Sequence, residues 1–272
     1  MRSDTPSDPS IEYLETTRGP VAFSVEGRGP FVLALHGCPG SMRDFRWLAP
    51  VLSKAFTVMR LDLPGFGQTP LRVDPSAKLS KRALFVASIA EQFGLKNAGI
   101  IGHSAGGVLA MEVAARFPGR FSHLGLIASP GLRPHASIRR HPISRHFIPT
   151  LLNVKPFRYA LGPWLKKGFI KAGFPEDLSV ESLHQAMQIV QEISFREIRQ
   201  CIPMLRQPTF VAWAEDDAFV EGEISRELAR TCPAGPRLCF HHGGHHIQKH
   251  MSVEIGEALI EWMRGYRGKQ VV

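Results

Sequence analysis

The chain has 272 residues, of which 44% are hydrophobic and 21% charged, values ordinary for a soluble globular protein and enough to bury a full core in one large α/β domain or two small ones. No segment approaches the roughly 18 apolar residues of a membrane helix, and the polar start MRSDTPSDPSIEYL lacks a signal peptide's basic and apolar regions, so a soluble, cytoplasmic protein is expected. Cys38, Cys201, Cys232 and Cys239 are too scattered for a disulfide framework or a CxxC zinc site and read as free thiols.

In chain order, short apolar runs alternate with helical patterns. IEYLETT and VAFSVEG read as two antiparallel edge strands joined at Arg18–Gly19–Pro20. FVLALHG (31–37) is a buried strand, and DFRWLAPVLSKAF (44–56) follows with apolar residues at helical spacing. TVMRLDL (57–63) is a strand ended by the turn signal PGFG. SKRALFVASIAEQFG (80–94) has the 3.6-residue period and stops at glycine. NAGIIGHS (97–104) is a strand, AGGVLAMEVAARFP (105–118) a helix, and FSHLGLIAS (121–129) another strand. Residues 131–206 hold no convincing strand and read as helices and turns punctuated by Pro134, Pro142, Pro149, Pro156 and Pro163. Alternation resumes with PTFVAWAEDD (208–217), EISRELART (223–231), PRLCFH (236–241) and VEIGEALIEWMRGY (253–266). The pattern predicts an α/β protein with a mostly parallel, doubly wound sheet of about eight strands, a core over 11–130 and 207–272, and a helical cap inserted at 131–206.

Net charge is +9 and unevenly placed. Between Glu112 and Glu176 there is no acidic residue, while Arg116, Arg120, Arg133, Arg139, Arg140, Arg145, Lys155, Arg158, Lys166, Lys167 and Lys171 fall in that span. Such a block fits an anionic small-molecule substrate or peripheral contact with a membrane surface, and equally a solvated basic face with no partner. No binding motif accompanies the charge, so nucleic acid is not expected. The sequence does not set the oligomeric state.

GHSAG (102–106) is a G-x-S-x-G motif at a strand-to-helix junction. Its glycines permit the sharp turn that lifts the Ser104 hydroxyl into the crevice at the carboxyl end of the sheet. Free N–H groups at the start of the next helix face any developing anion. Acyl transfer needs two donors for that anion. One is expected from the N–H of Ala105 and the other from the N–H of Cys38 in HGCPG (36–40). A nucleophilic Cys38 thiol is the rival use of that loop.

HGCPG, DLPGFG (62–67), GHSAGG (102–107), WAEDD (213–217) and GGHH (243–246) occur in an order and spacing that resemble the α/β-hydrolase fold family, from about residue 11 to residue 266. The resemblance implies a serine-nucleophile hydrolase of esterase or lipase type, with no organic cofactor. It implies Ser104 as nucleophile, Asp217 as the triad acid and His245 as the general base. Ala214 stands where the family's G-x-x-D pattern has glycine, which leaves Asp216 and Glu215 as alternatives. His246 is the alternative base. A metal reading of HHGGHHIQKH rests on His242, His246 and His250, but Gly243–Gly244 break any helix through the first pair and the second lacks an obvious third ligand, so no metal is expected. Phe147, Leu151, Phe157, Trp164 and Phe169 are candidate cap residues for an acyl pocket or for packing the cap on the core. Serine rather than aspartate at the nucleophile position argues against a haloalkane dehalogenase or epoxide hydrolase. The expected reaction is hydrolysis of a small carboxylic ester. C–C bond hydrolysis, lactonase or amidase action on an anionic molecule, acyl transfer, a membrane-surface lipase and a non-catalytic binding protein remain alternatives.

Overall fold

The computed structural model describes residues 10–136, 147, 150–171, 174, 176 and 178–265. The apolar runs form one eight-stranded sheet: β1 (Glu12–Thr16), β2 (Gly19–Glu26), β3 (Phe31–Leu35), β4 (Thr57–Leu61), β5 (Ala98–His103), β6 (Phe121–Ile127), β7 (Thr209–Ala214) and β8 (Arg237–Phe240). Their spatial order is β1-β2-β4-β3-β5-β6-β7-β8. β2 is antiparallel to both β1 and β4, and the remaining neighbours run parallel. Only β1 of the first hairpin lies at an edge. β2 also pairs with β4, which corrects the expectation of two edge strands; the turn itself is Thr17–Arg18, since Thr16 pairs with Gly19.

Strand side chains alternate between two core layers, as a period of two requires. Leu33 and Leu35 point into the layer under α2 (Leu79–Gln92) and α3 (Ala105–Arg116), whereas Val32 and Ala34 point into the layer under α1 (Ala49–Leu52) and α9 (Ser252–Met263). Each fully buried leucine or valine contributes about 2 kcal/mol. The helix expected over 44–56 is broken into a 3-10 turn at Met42–Phe45 and the four-residue α1. Ser41 and Asp44 cap the first turn reciprocally, and Pro50, which has no N–H, sits in the first turn of the second.

Segment 131–206 contains α4 (Lys155–Lys171), α5 (Val180–Glu192) and α6 (Phe195–Cys201), with no strand among its described residues. Ile189, Ile193 and Ile198 join the layer that holds α2 and α3, so this segment is seated on the sheet's helical cover. Arg139, Arg140, Arg145, Pro142 and Pro149 lie outside the described residues. The chain closes with α7 (Gly222–Thr231), α8 (Ile247–His250) and α9. Among the described residues no helix is long and apolar enough to cross a membrane. From β3 the chain moves to β4 on one side and then to β5 on the other, so the loops after β3 and β5 diverge and leave a crevice at the carboxyl ends of the strands.

Candidate active site

That crevice is built from the β5–α3 junction upward. Ser104 lies between strand and helix with φ 53° and ψ −127°, a left-handed conformation that costs a non-glycine residue about 1–3 kcal/mol. Two main-chain bonds hold it there: the Ser104 N–H donates to Ile127 O (3.0 Å) and the Gly107 N–H donates to Ser104 O (2.8 Å). The flanking glycines are required by space. A Cβ on Gly102 would overlap the main chain of Gly106, and one on Gly106 would overlap the carbonyls of Leu35 and His36. The turn thus presses against β3 and presents the serine hydroxyl outward.

The turn after β7 carries Asp217, the expected acid. Asp217 Oδ2 accepts from His245 Nδ1–H at 2.8 Å, and His245 Nε2 accepts from the Ser104 hydroxyl at 2.9 Å, tautomers being assigned from the hydrogen-bond pattern. The Asp217 and His245 side chains are 1% and 5% exposed. Asp217 Oδ1 accepts from the N–H groups of Phe219 (2.8 Å) and Val220 (3.0 Å), which fixes the carboxylate's orientation. The alternatives are engaged elsewhere. Asp216 accepts from the N–H groups of Gly243 (3.3 Å) and Gly244 (2.8 Å) and so anchors the loop that carries His245. Glu215 accepts from Trp213 Nε1–H (3.0 Å) and pairs with Arg226. Gly243 and Gly244 have φ of 146° and 61°, so glycine is the natural residue at both.

The other histidines have separate places. His242 is exposed beside Asp216, and a ring N–H of His250 donates to Gly243 O (2.9 Å). His103 is buried and donates from Nε2–H to the His245 carbonyl (2.8 Å), bracing His245 through its main chain. His246 is buried against Phe174, with ring centroids 5.1 Å apart, and its ring nitrogens have no hydrogen-bond partner among the described residues. No three His, Cys, Asp or Glu side chains converge as a metal site among the described residues.

Burial, with a smaller push from Lys249, His245 and His250, lowers His246 to about 3. Its folded value lies below the ordinary 6.5, so the unfolded chain binds the extra proton between about pH 6.5 and 3, and stability falls as pH drops through that window. The effect at pH 5 is about 2 kcal/mol. Chemical denaturation at pH 7.5 and pH 5 is expected to show a smaller acid-induced loss for His246→Phe than for the wild type. Equal losses would mean that this ring does not resist protonation.

The loop after β3 carries the expected oxyanion donors. Ala105 is the first residue of α3, so its N–H has no intrahelical acceptor. Cys38 lines the same cavity as Ser104, Ala105 and His245. A Cβ on Gly37 would lie 3.0 Å from Ser104 Cβ, which shows how closely this loop approaches the serine. Desolvation raises the Cys38 thiol to about 11, leaving it protonated and un-nucleophilic at neutral pH. Two residues that sequence reasoning did not single out hold the loop. His36, fully buried and lowered by desolvation to about 4, donates to Gly37 O (2.7 Å) and accepts from Leu63 N–H (2.9 Å). Asp62, raised by burial to about 6, accepts from the N–H groups of Met42 (2.6 Å) and Gln68 (2.8 Å). Both stand inside motifs that were read, HGCPG and DLPGFG, but their partners lie across the chain.

Above Ser104 and His245 is a largely apolar cavity of about 330 Å³, lined by Phe169, Phe174, Met187 and Phe195 of segment 131–206 and by Phe219 and Ile224 after β7. Of the five aromatic and aliphatic cap candidates, Phe169 lines it. Phe147, Phe157 and Trp164 are instead 61%, 47% and 72% exposed, and Leu151 is half-buried away from the cavity. α4 is apolar on several sides, and the face that meets α5 is set by Gly162 against Val180, which periodicity does not reveal.

A family model described as alpha/beta hydrolase fold matches residues 30–152. The uncharacterized hydrolase YugF of Bacillus subtilis is 24% identical over 257 residues, covering 86% of this chain and 89% of that protein. Epoxide hydrolase 4 of Homo sapiens is 25% identical over 260 residues, covering 80% of this chain and 70% of that protein. The crystal structure of bromoperoxidase from Bacillus anthracis superposes with a TM-score of 0.75 at 19% identity, over 94% of this chain and all of that one (100%). Sheet order, strand-to-helix serine turn and family match over residues 30–152 define one architecture: the chain has the α/β-hydrolase fold. Hydrolases stand among its relatives.

Proposed function

We propose that this protein is a serine hydrolase acting on a small carboxylic ester through a Ser104–His245–Asp217 triad. The observation that carries the reading is the continuous hydrogen-bond chain from Asp217 through His245 to Ser104, at 2.8 and 2.9 Å, at the floor of the 330 Å³ cavity. Ser104 Oγ attacks the acyl carbon as its proton passes to His245 Nε2; Asp217 holds the ring and stabilises the imidazolium. The carbonyl oxygen becomes negative against the N–H groups of Cys38 and Ala105, a contribution of about 10²–10³ in rate per donor. His245 returns the proton to the leaving alcohol, an acyl-enzyme remains, and water deprotonated by His245 releases the acid. The apolar walls favour an acyl or alkyl group. A panel of esters, lactones, amides and dioxo acids tests the substrate class: turnover of short esters is expected, and turnover confined to dioxo acids would place the protein among C–C bond hydrolases.

A second reading concerns where the cap works. α4 carries no acidic residue, and it exposes Phe157, Tyr159 and Trp164 (63% and 72% for the last two) beside Lys155, Lys166, Lys167 and Lys171. This is the composition of a helix that lies on an anionic lipid surface, and Phe169 of the same helix lines the cavity over Ser104. Co-sedimentation with phosphatidylglycerol vesicles is expected for the wild type and is expected to be lost in Trp164→Ala/Lys167→Glu. Equal recovery of both proteins in the supernatant would leave α4 a solvated face.

A further inference from the structure

A second, smaller cavity adjoins the first. It has about 20 Å³, room for one water-sized group, and shares Cys38, Ala105 and Ile193 with the cavity over Ser104. Arg82, on the first turn of α2, lines it. This arginine is 3% exposed, and both terminal guanidinium nitrogens are buried without a hydrogen-bond partner among the described residues. A guanidinium stays charged and carries five N–H donors, so leaving its ends dry and unpaired is strongly destabilising. Cys38 and Asp74 act on Arg82 only at a distance, Glu192 is exposed at the rim of the cavity, and no ion pair to Arg82 is present among the described residues. The guanidinium that lines the large cavity is already paired: Arg133 Nε donates to Glu227 (2.8 Å), with Glu223 and Glu221 at 3.5 and 3.8 Å. A buried guanidinium whose terminal nitrogens lack a partner among the described residues therefore sits in the wall of a space next to Cys38 and Ala105.

We propose that Arg82 anchors a carboxylate carried on the acyl side of the substrate, so that the preferred substrates are short half-esters of dicarboxylic acids. The position sets the side and the length. The small cavity shares Cys38 and Ala105, the residues assigned to the oxyanion, with the cavity over Ser104, which places a group seated there close to the reacting carbonyl. An N–H donor of a guanidinium suits a carboxylate oxygen, and a single such oxygen is water-sized. This inference rests on the serine-hydrolase reading.

The test compares monomethyl glutarate with methyl valerate, and monomethyl succinate with methyl butyrate, following methanol release by the wild type, Arg82→Met and Arg82→Lys. The ratio of kcat/KM for the half-ester to that for the neutral ester is expected to fall about 10- to 100-fold in Arg82→Met and to recover in part in Arg82→Lys. Without ligand, Arg82→Met is expected to unfold at the same temperature as the wild type or higher, because an unpaired buried charge is removed. Glutarate is expected to raise the unfolding temperature of the wild type and not of Arg82→Met, a readout that needs no turnover. An unchanged ratio together with an unchanged glutarate shift would overturn the proposal, and so would a marked loss of thermal stability in Arg82→Met, which would make Arg82 a structural residue. Loss of all ester turnover alongside an Arg82-dependent glutarate shift would instead count against the hydrolase reading and keep the anion site.

Discussion

Ser104→Ala is expected to lower kcat on a short ester by about 10⁴-fold or more, with thermal unfolding within about 1 kcal/mol of the wild type. The chemical loss is large because the hydroxyl oxygen forms the covalent bond, and no neighbouring group replaces it: the Cys38 thiol is held protonated near 11 and His246 has no hydrogen bond to the serine. The structural loss is small for a local reason. Alanine keeps the Cβ, so it carries the same cost at φ 53°, and the two main-chain bonds that hold the turn are untouched. Steady-state kinetics on protein checked by thermal melting decides it. Comparable turnover by a folded Ser104→Ala protein would remove the serine from the mechanism.

The adjacent histidines are expected to separate just as sharply. His245→Ala removes the group that takes the serine proton in the proposed mechanism and should cost about 10⁴-fold or more in kcat. His246→Ala should change kcat by no more than about tenfold. Its ring is packed on Phe174 rather than bonded to Ser104, so its loss is felt chiefly as a packing defect of about 1–3 kcal/mol. The contrary order, with His246→Ala the more damaging in activity, would mean that the proton moves through a different ring from the one hydrogen-bonded to Ser104.

Much of this arrangement is written in local signals. The strands are legible because their apolar runs are short, β-rich and bounded by turns, and the serine turn because its glycines must sit where a Cβ would strike the main chain of β3 or of α3 itself. The geometry that brings Ser104, Asp217 and His245 together follows the motif order, and Asp217 is separated from Asp216 and Glu215 only by what each side chain meets: His245, the Gly243–Gly244 main chain, and Trp213 with Arg226. What is not legible depends on partners distant in sequence. Pro50 and the Ser41–Asp44 cap divide a stretch whose apolar spacing alone reads as one helix. On α4, Phe169 lines the cavity while Phe157 and Trp164 are exposed, and Gly162 lets the helix pack closely against Val180 of α5. Arg82 looks like an ordinary charged residue of an amphipathic helix. Only the fold shows that it is buried, that its terminal nitrogens have no partner among the described residues, and that it lines a cavity with Cys38 and Ala105.

The central claim is that Ser104 is an activated nucleophile. The most direct measurement is the intact mass of the protein after incubation with a fluorophosphonate probe, on the wild type and on Ser104→Ala. A single adduct on the wild type that is absent from the alanine variant is the predicted result, and phosphonylation that persists in folded Ser104→Ala, or a folded wild type that takes up no probe, would contradict it.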